Sequence, residues 1–368
     1  MIARAWSIAL LGLAALVAGC ERPPIDSVQH GYRGLGMVEL YNPRIVAAQA
    51  DINQVPAALP AAPAGGPPAT AVFKNLQVLG DLDVGQLLRL MTAMTQWVAP
   101  DQGCTYCHAE GDLASDALYT KVVARRMLQM TRTINTSSKS HVGATGVTCL
   151  TCHRGQPVPP NVWFTDPGPK TASGAAGNRA GQNAPAPAVG YASLPFDPLT
   201  PFLDQRDEIR IISTSALPEG NRKSIKQTEW TYALMMHMSQ SLGVNCTYCH
   251  NTRSFAAWDA STPQRETAWY AIRLVREVNR DYLQPLKSTL PAHRLGPLGD
   301  APKVDCATCH NGAYKPLYGV SMLKDYPELA AAAPAAPAAS AAPATAEAPA
   351  GSPAAAAPAT PAAPAKQP

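Results

Sequence analysis

One short pattern, Cys-x-x-Cys-His, occurs four times in this chain and restricts its fold more than any other feature. The copies are Cys104-Cys107-His108, Cys149-Cys152-His153, Cys246-Cys249-His250 and Cys306-Cys309-His310. Eight of the nine cysteines belong to them, and the ninth, Cys20, stands alone. A disulfide framework would scatter its cysteines at varied spacings. Two thiols three residues apart can instead add to the two vinyl groups of one haem, and the adjacent histidine then faces the iron from the proximal side. A zinc site would need the pairs to combine and would not demand a histidine after every second cysteine. A thioredoxin-like motif would come once, within a βαβ unit. The pattern therefore points to four covalently attached c-type haems.

That reading accounts for an unusual composition. Only 6% of the 368 residues are aromatic and 15% are charged, both low for a globular protein. Four porphyrins would supply much of the apolar interior that aromatic side chains otherwise provide. The formal net charge of +4 is offset by the haem propionates, so nucleic-acid binding is not supported. The 36 prolines and 26 glycines concentrate in stretches that divide the chain.

Residues 1–19 read as a lipoprotein signal peptide. Arg4 precedes an apolar run, Ile8–Val17, that is too short to span a bilayer, and Val17-Ala18-Gly19 leads directly into Cys20. Cys20 would then carry the lipid, and two or more acyl chains give a stable anchor. Residues 20–72 form an N-terminal segment ending in the Pro/Ala/Gly linker Pro56–Pro68. A first two-haem half spans 73–160, a Pro/Gly-rich connector 161–204, and a second two-haem half 205–327. Residues 328–368 are almost wholly Ala, Pro, Thr and Ser, a composition too poor in apolar bulk to fold. The halves read as repeats of each other. Each has an amphipathic helix, the pentapeptide Cys-Thr-Tyr-Cys-His, a second helix with arginines, and another motif. Leu87, Leu90, Met91, Met94 and Val98 share a helical stripe, as do Thr231, Leu234, Met235, Met238 and Leu242. The expected fold is mostly α: two pseudo-repeated helical halves with an irregular N-terminus and an Ala/Pro tail.

What a c-type haem does depends on the sixth iron ligand. A second protein ligand leaves electron transfer, whereas an open position permits catalysis. Met91 or Met94 can serve the haem at His108, Met235 or Met238 the haem at His250, and Met127 or Met130 the haem at His153. The fourth site breaks the pattern. Aligning Ala124-Arg125-Arg126-Met127 with Ala271-Ile272-Arg273-Leu274 puts leucine where the methionine should stand, and no methionine lies between Met238 and His310. His141 and His293 each precede a motif and are both candidates for that iron.

Several longer stretches carry a resemblance: R-L-M-T-A-M-T-Q-W-V-A-P (89–100), V-V-A-R-R-M-L-Q-M-T-R-T-I-N (122–135), G-V-T-C-L-T-C-H-R-G (146–155), Y-A-L-M-M (232–236), S-T-P-Q-R (261–265) and L-K-D-Y-P-E-L (323–329). Over about residues 20–327 the chain resembles the tetrahaem cytochrome subunit of the photosynthetic reaction centre of purple bacteria. The resemblance implies axial methionines at Met91, Met127 and Met235. It also implies a bis-histidine fourth haem that takes His141 from the other half, so that the halves interlock. It further implies a roughly linear row of haems, with that of His250 nearest the bacteriochlorophyll special pair held by the L and M subunits. The electron donor would be a soluble periplasmic c-type cytochrome or high-potential iron–sulfur protein. The protein would sit on the periplasmic face of the photosynthetic membrane, an electron carrier rather than an enzyme. The long tail, His237 and His293 depart from the family pattern. A helix turns about 100° per residue, so His237 points away from the Met235 face. The motif chemistry by itself also admits a multihaem reductase with one open iron, or a lipid-anchored respiratory carrier.

Overall fold

In the computed structural model, residues 26–29, 38–63, 65–168, 186–211 and 225–330 are described. The signal segment, Cys20 and the Ala/Pro tail lie outside them. All the described residues belong to one compact unit.

The described chain is mostly helical, in keeping with the sequence reading. A short antiparallel hairpin, β1 (Asp26–Gln29) with β2 (Val38–Tyr41), precedes α1 (Pro43–Ala50). The first main helix, α3 (Val84–Val98), follows the one-turn α2 (Ala69–Val72). A capping box opens α3: the Gln86 N–H donates to Asp83 at 2.8 Å, and the Asp83 N–H donates back to the Gln86 side chain at 3.1 Å. Its inward stripe is Leu87, Leu90, Ala93 and Trp97. These join Leu128 of α4 (Tyr119–Ser137), and Tyr326 and Leu329 near the end of the described chain, in the larger core. The Trp97 and Tyr326 rings meet edge to face at 4.7 Å. Burying one such leucine stabilises by about 1.5–3 kcal/mol.

The Pro/Ala stretch read as a linker is held against this core. Arg89 donates to the Leu59 carbonyl at 2.9 Å and the Pro60 carbonyl at 2.8 Å, and the Leu59 N–H donates to the Tyr326 hydroxyl at 3.0 Å. Polyproline-like backbone has no internal hydrogen bonds, so its carbonyls are open to such a donor.

The one-turn α5 (Lys139–Val142) and α6 (Cys149–His153) follow α4. The second helical set is α7 (Ile225–Leu242), α8 (Pro263–Glu277) and α9 (Cys306–His310). Between the sets, β3 (Val162–Trp163) pairs antiparallel with β4 (Lys303–Val304). A smaller core gathers Trp163, Phe202, Leu203, Leu234 and Ile272, with Met235 and Met238 against it. The two sets pack on each other through α5 on α8 and α6 on α9. Where α7 ends, Gly243 (φ +65°) lies so close to Gly312 that a Cβ there would collide with the Gly312 carbonyl oxygen.

Candidate functional site

The four motifs adopt two local geometries, in alternation along the chain. The second and fourth are the helices α6 and α9, five residues each. Each opens on a capping box: Thr148 with Thr151, and Asp305 with Thr308. Each closes on a residue in the left-handed region, Arg154 (φ 53°) and Asn311 (φ 47°). The first and third motifs instead begin in 3-10 turns, Gly103–Tyr106 and Cys246–Tyr248. Their tyrosine carbonyls accept hydrogen bonds from threonines fourteen residues on, Thr120 to Tyr106 and Thr262 to Tyr248. The caps were not singled out from the sequence; the signal that could have found them is the capping-box spacing of Thr-x-x-Thr and Asp-x-x-Thr across the motif.

All four motif histidines present Nδ1 to a backbone carbonyl oxygen. His108 meets Leu113 at 3.1 Å and His250 meets Phe255 at 3.1 Å, each five residues on. His153 meets Gln156 at 2.8 Å and His310 meets Ala313 at 2.9 Å, each three residues on. His141 of α5 does the same across the halves, meeting the Thr267 carbonyl of α8 at 3.1 Å. A ring whose Nδ1 donates to a carbonyl carries its free lone pair on Nε2, the tautomer of a metal-binding imidazole. Burial lowers the pKa of His141, His153 and His310, that of His310 to about 4, so these rings stay neutral. Burial, and then Arg265, likewise lowers that of His250.

A cavity of about 1420 Å³ runs through the molecule, above the roughly 300–1,000 Å³ of a single small-molecule pocket. It brings together Cys104, Cys107 and His108 with Met91; Cys149, Cys152 and His153 with Met127; and Cys306, Cys309 and His310 with His141. The alternatives Met94, Met130 and His293 line it too. Of the third site only Cys249 and Met238 reach the cavity; Met235, Cys246 and His250 are not in its wall. The His141 and His310 ring centroids lie 6.1 Å apart, with the ring planes tilted by 54°. The second and fourth sites touch, with the Cys152 and Cys309 sulfurs 3.1 Å apart.

His237 is buried with the opposite polarity. Its Nε2 lies 3.2 Å from the Ser241 hydroxyl and 3.7 Å from the Asp305 carboxylate, so the nitrogen a metal would need is engaged. This agrees with the expectation that His237 points away from Met235.

The donor set fits haem rather than a bare metal ion. Among the described residues, no three histidine, cysteine or carboxylate side chains converge as a metal-ion site. Burial pushes the Cys149 thiol up to about 12 and, with Cys104 adding to it, the Cys107 thiol up to about 11. Such thiols are poor thiolate ligands and poor redox nucleophiles. Five imidazoles with Nε2 free, four beside cysteine pairs and three of those pairs in the wall of one large cavity, match covalent haem attachment.

Comparison with known proteins points to the c-type cytochromes. The family model described as "Photosynthetic reaction centre cytochrome C subunit" matches residues 21–330. The chain is 56% identical over 324 residues to the photosynthetic reaction center cytochrome c subunit of Rubrivivax gelatinosus, covering 88% of each protein. It is 55% identical over 316 residues to that of Thermochromatium tepidum, covering 86% of this chain and 78% of the relative. The identity to that of Roseobacter denitrificans is 42% over 337 residues, covering 88% and 90%. The four-motif chain with its cavity and its carbonyl-held histidines thus belongs to the photosynthetic reaction centre cytochrome c subunit family.

Proposed function

We propose that this chain is the electron-transfer subunit that re-reduces the photo-oxidised bacteriochlorophyll special pair through four covalently bound c-type haems. The observation that carries the reading is the shared orientation of His108, His153, His250, His310 and His141, each with Nδ1 on a carbonyl. Each cysteine pair (104/107, 149/152, 246/249, 306/309) would hold one haem by thioethers. Met91, Met127 and Met235 would complete the first three sites, and His141 the fourth. When bound, each haem supplies a one-electron couple whose potential follows its axial ligands, methionine raising it relative to a second histidine.

The chain's own residues would hold the proposed ligands in place. The Thr267 carbonyl aims His141 across the junction of the two halves, while Leu274 of α8 lines the same cavity without offering a donor. The capping boxes of α6 and α9 hold the cysteine–histidine helices in register. No described helix is long and apolar enough to cross a membrane. We assign attachment to lipid on Cys20, at the periplasmic face, against the L and M subunits. A soluble periplasmic c-type cytochrome or high-potential iron–sulfur protein would be the donor.

Flash-induced absorbance in native membranes tests the reading. Oxidation of a haem band in step with recovery of the special pair is expected. Haems that stay reduced while the pair recovers by another route would overturn it.

A further inference from the structure

Arg154 occupies a place that neither the motif nor the ligand assignments explain. It follows His153, stands in the left-handed region, and turns its side chain back over the junction of α6 and α9. Its guanidinium donates to three backbone carbonyls from three parts of the chain. These are Thr151 of its own helix at 3.2 Å, Cys309 of α9 at 2.9 Å, and Ile52 of the N-terminal segment at 3.0 Å. Among the described residues it makes no ion pair. An arginine does not lose its proton in a protein, so a permanent positive charge is fixed where the second and fourth sites meet. The contact of the Cys152 and Cys309 sulfurs marks the same junction.

The other half puts no charge at the corresponding place. Asn311 follows His310 in the same left-handed conformation, but it is a neutral amide. It donates to the Thr308 carbonyl at 3.2 Å and accepts from Asn161 at 2.9 Å. The residues after the other two motif histidines, Ala109 and Asn251, are also uncharged. One of four otherwise comparable positions carries a cation, and it lies between two sites rather than beside one.

We infer that Arg154 is a positioning residue for electron transfer: a fixed charge, held by the carbonyls of Thr151, Ile52 and Cys309, that raises the potentials of the haems at His153 and His310 together. A nearby cation disfavours the oxidised, more positive iron, and in a low-dielectric interior that effect is not screened as it is in water. The three-carbonyl clamp holds the charge at the junction of both sites, through Thr151 on one side and Cys309 on the other, so the two potentials are set as a pair. Electrons crossing from one half to the other then meet this junction at a level set by one side chain.

The inference rests on the four-haem reading, and the test separates the two. The purified holoprotein is first assayed for covalently bound haem; a count other than four overturns that reading and removes the basis of this one. With four haems present, Arg154→Gln and Arg154→Lys are titrated spectroelectrochemically beside the parent. The glutamine variant is expected to shift the reduction equilibrium of two haems toward oxidation by about tenfold each, about 59 mV for one electron, with the other two unmoved. The lysine variant keeps the charge and is expected to retain most of both potentials. Four unchanged potentials, four that move together, or a lysine variant as low as glutamine would each overturn the inference. Should the glutamine variant lose haem, Arg154→Met, which keeps the apolar stem, replaces it. If both neutral variants lose haem, the lysine variant decides: a pair of potentials about tenfold lower there overturns the inference, and unchanged ones uphold it.

Discussion

Arg132 of α4 ties the end of the described chain to the segment that leads into α3, and replacing it with methionine should loosen that region measurably. Its side chain is fully buried, and it makes four hydrogen bonds. Two run at 2.9 Å to the two carboxylate oxygens of Asp81, one at 2.9 Å to the Val78 carbonyl and one at 3.1 Å to the Glu328 carbonyl. The Asp81 side chain is 44% exposed, so water replaces its lost partner and the ion pair contributes only about 0–1 kcal/mol. The carbonyls are different, because Val78 and Glu328 are buried, and each stranded acceptor costs about 1–3 kcal/mol. Arg132→Met should therefore destabilise by about 2–5 kcal/mol, in line with the cost of breaking a buried charged cluster. Asp81→Asn, which keeps an oxygen acceptor on an exposed side chain, should cost less than about 1 kcal/mol. Guanidinium titration of the holoprotein, followed by the haem absorbance band, measures both variants. Equal losses would mean that the carboxylate pair, not the carbonyls, carries the energy. No loss from Arg132→Met would refute the whole account.

Three further outcomes follow from the same geometry. His141→Met should raise the potential of one haem, that of His310, and leave three unchanged in a redox titration; no change anywhere would remove His141 from the ligand set. Gly243→Ala places a methyl group against the Gly312 carbonyl at a backbone angle that alanine avoids. It should cost about 1–3 kcal/mol in thermal or denaturant melts, and an alanine variant as stable as the parent would disprove the close approach. Burial works against the charge of Asp300, yet the Lys303 ammonium and the Thr165 N–H together hold its carboxyl below the usual carboxylate range. Its contribution to stability is thus present above the unfolded carboxylate pKa and is lost as pH falls through the lowered folded value. Asp300→Asn should flatten that acid limb of the stability–pH profile, and an unchanged limb would exclude this pair as its source.

Much of the site was legible because the chemistry is local. A haem-attachment motif needs five consecutive residues, and a helical stripe such as Leu87, Leu90, Met91 and Met94 needs only periodicity. Residues that work across the sequence were not legible. Nothing near Arg132 shows that it closes on Asp81 and on Glu328, almost two hundred residues later. Pro56–Pro68 reads as a spacer by composition, yet its carbonyls around Leu59 are held by Arg89. Helical geometry turns His237 away from the Met235 face, but nothing in the sequence places its Nε2 against Ser241 and Asp305. Each depends on a partner brought near by packing, which no spacing rule records.

On the proposed ligand assignment, the fourth site takes its second histidine from the other helical set, and the fold supplies a reason. Helices α4 and α8 occupy corresponding places between their motifs, and each lays one face along the cavity. On α4 that face includes Val123, Met127, Met130 and Ile134; on α8 it includes Thr267, Ala271 and Leu274. Both stripes advance by three and four residues, so the helices are presented alike. Only α4 offers sulfur. With leucine at 274, α8 supplies a wall and a carbonyl but no donor. Thr267 lies seven residues before Leu274, two turns back on the same face, and its carbonyl is the one that holds His141. The helix that lost the ligand position is thus the helix that orients the proposed replacement. Substituting methionine at 274 would create a competing donor on the very face against which His141 is held. If His141 is the proposed ligand, the packing of α5 on α8 also carries it, so weakening that contact should alter the potential of the His310 site before it unfolds either helical set.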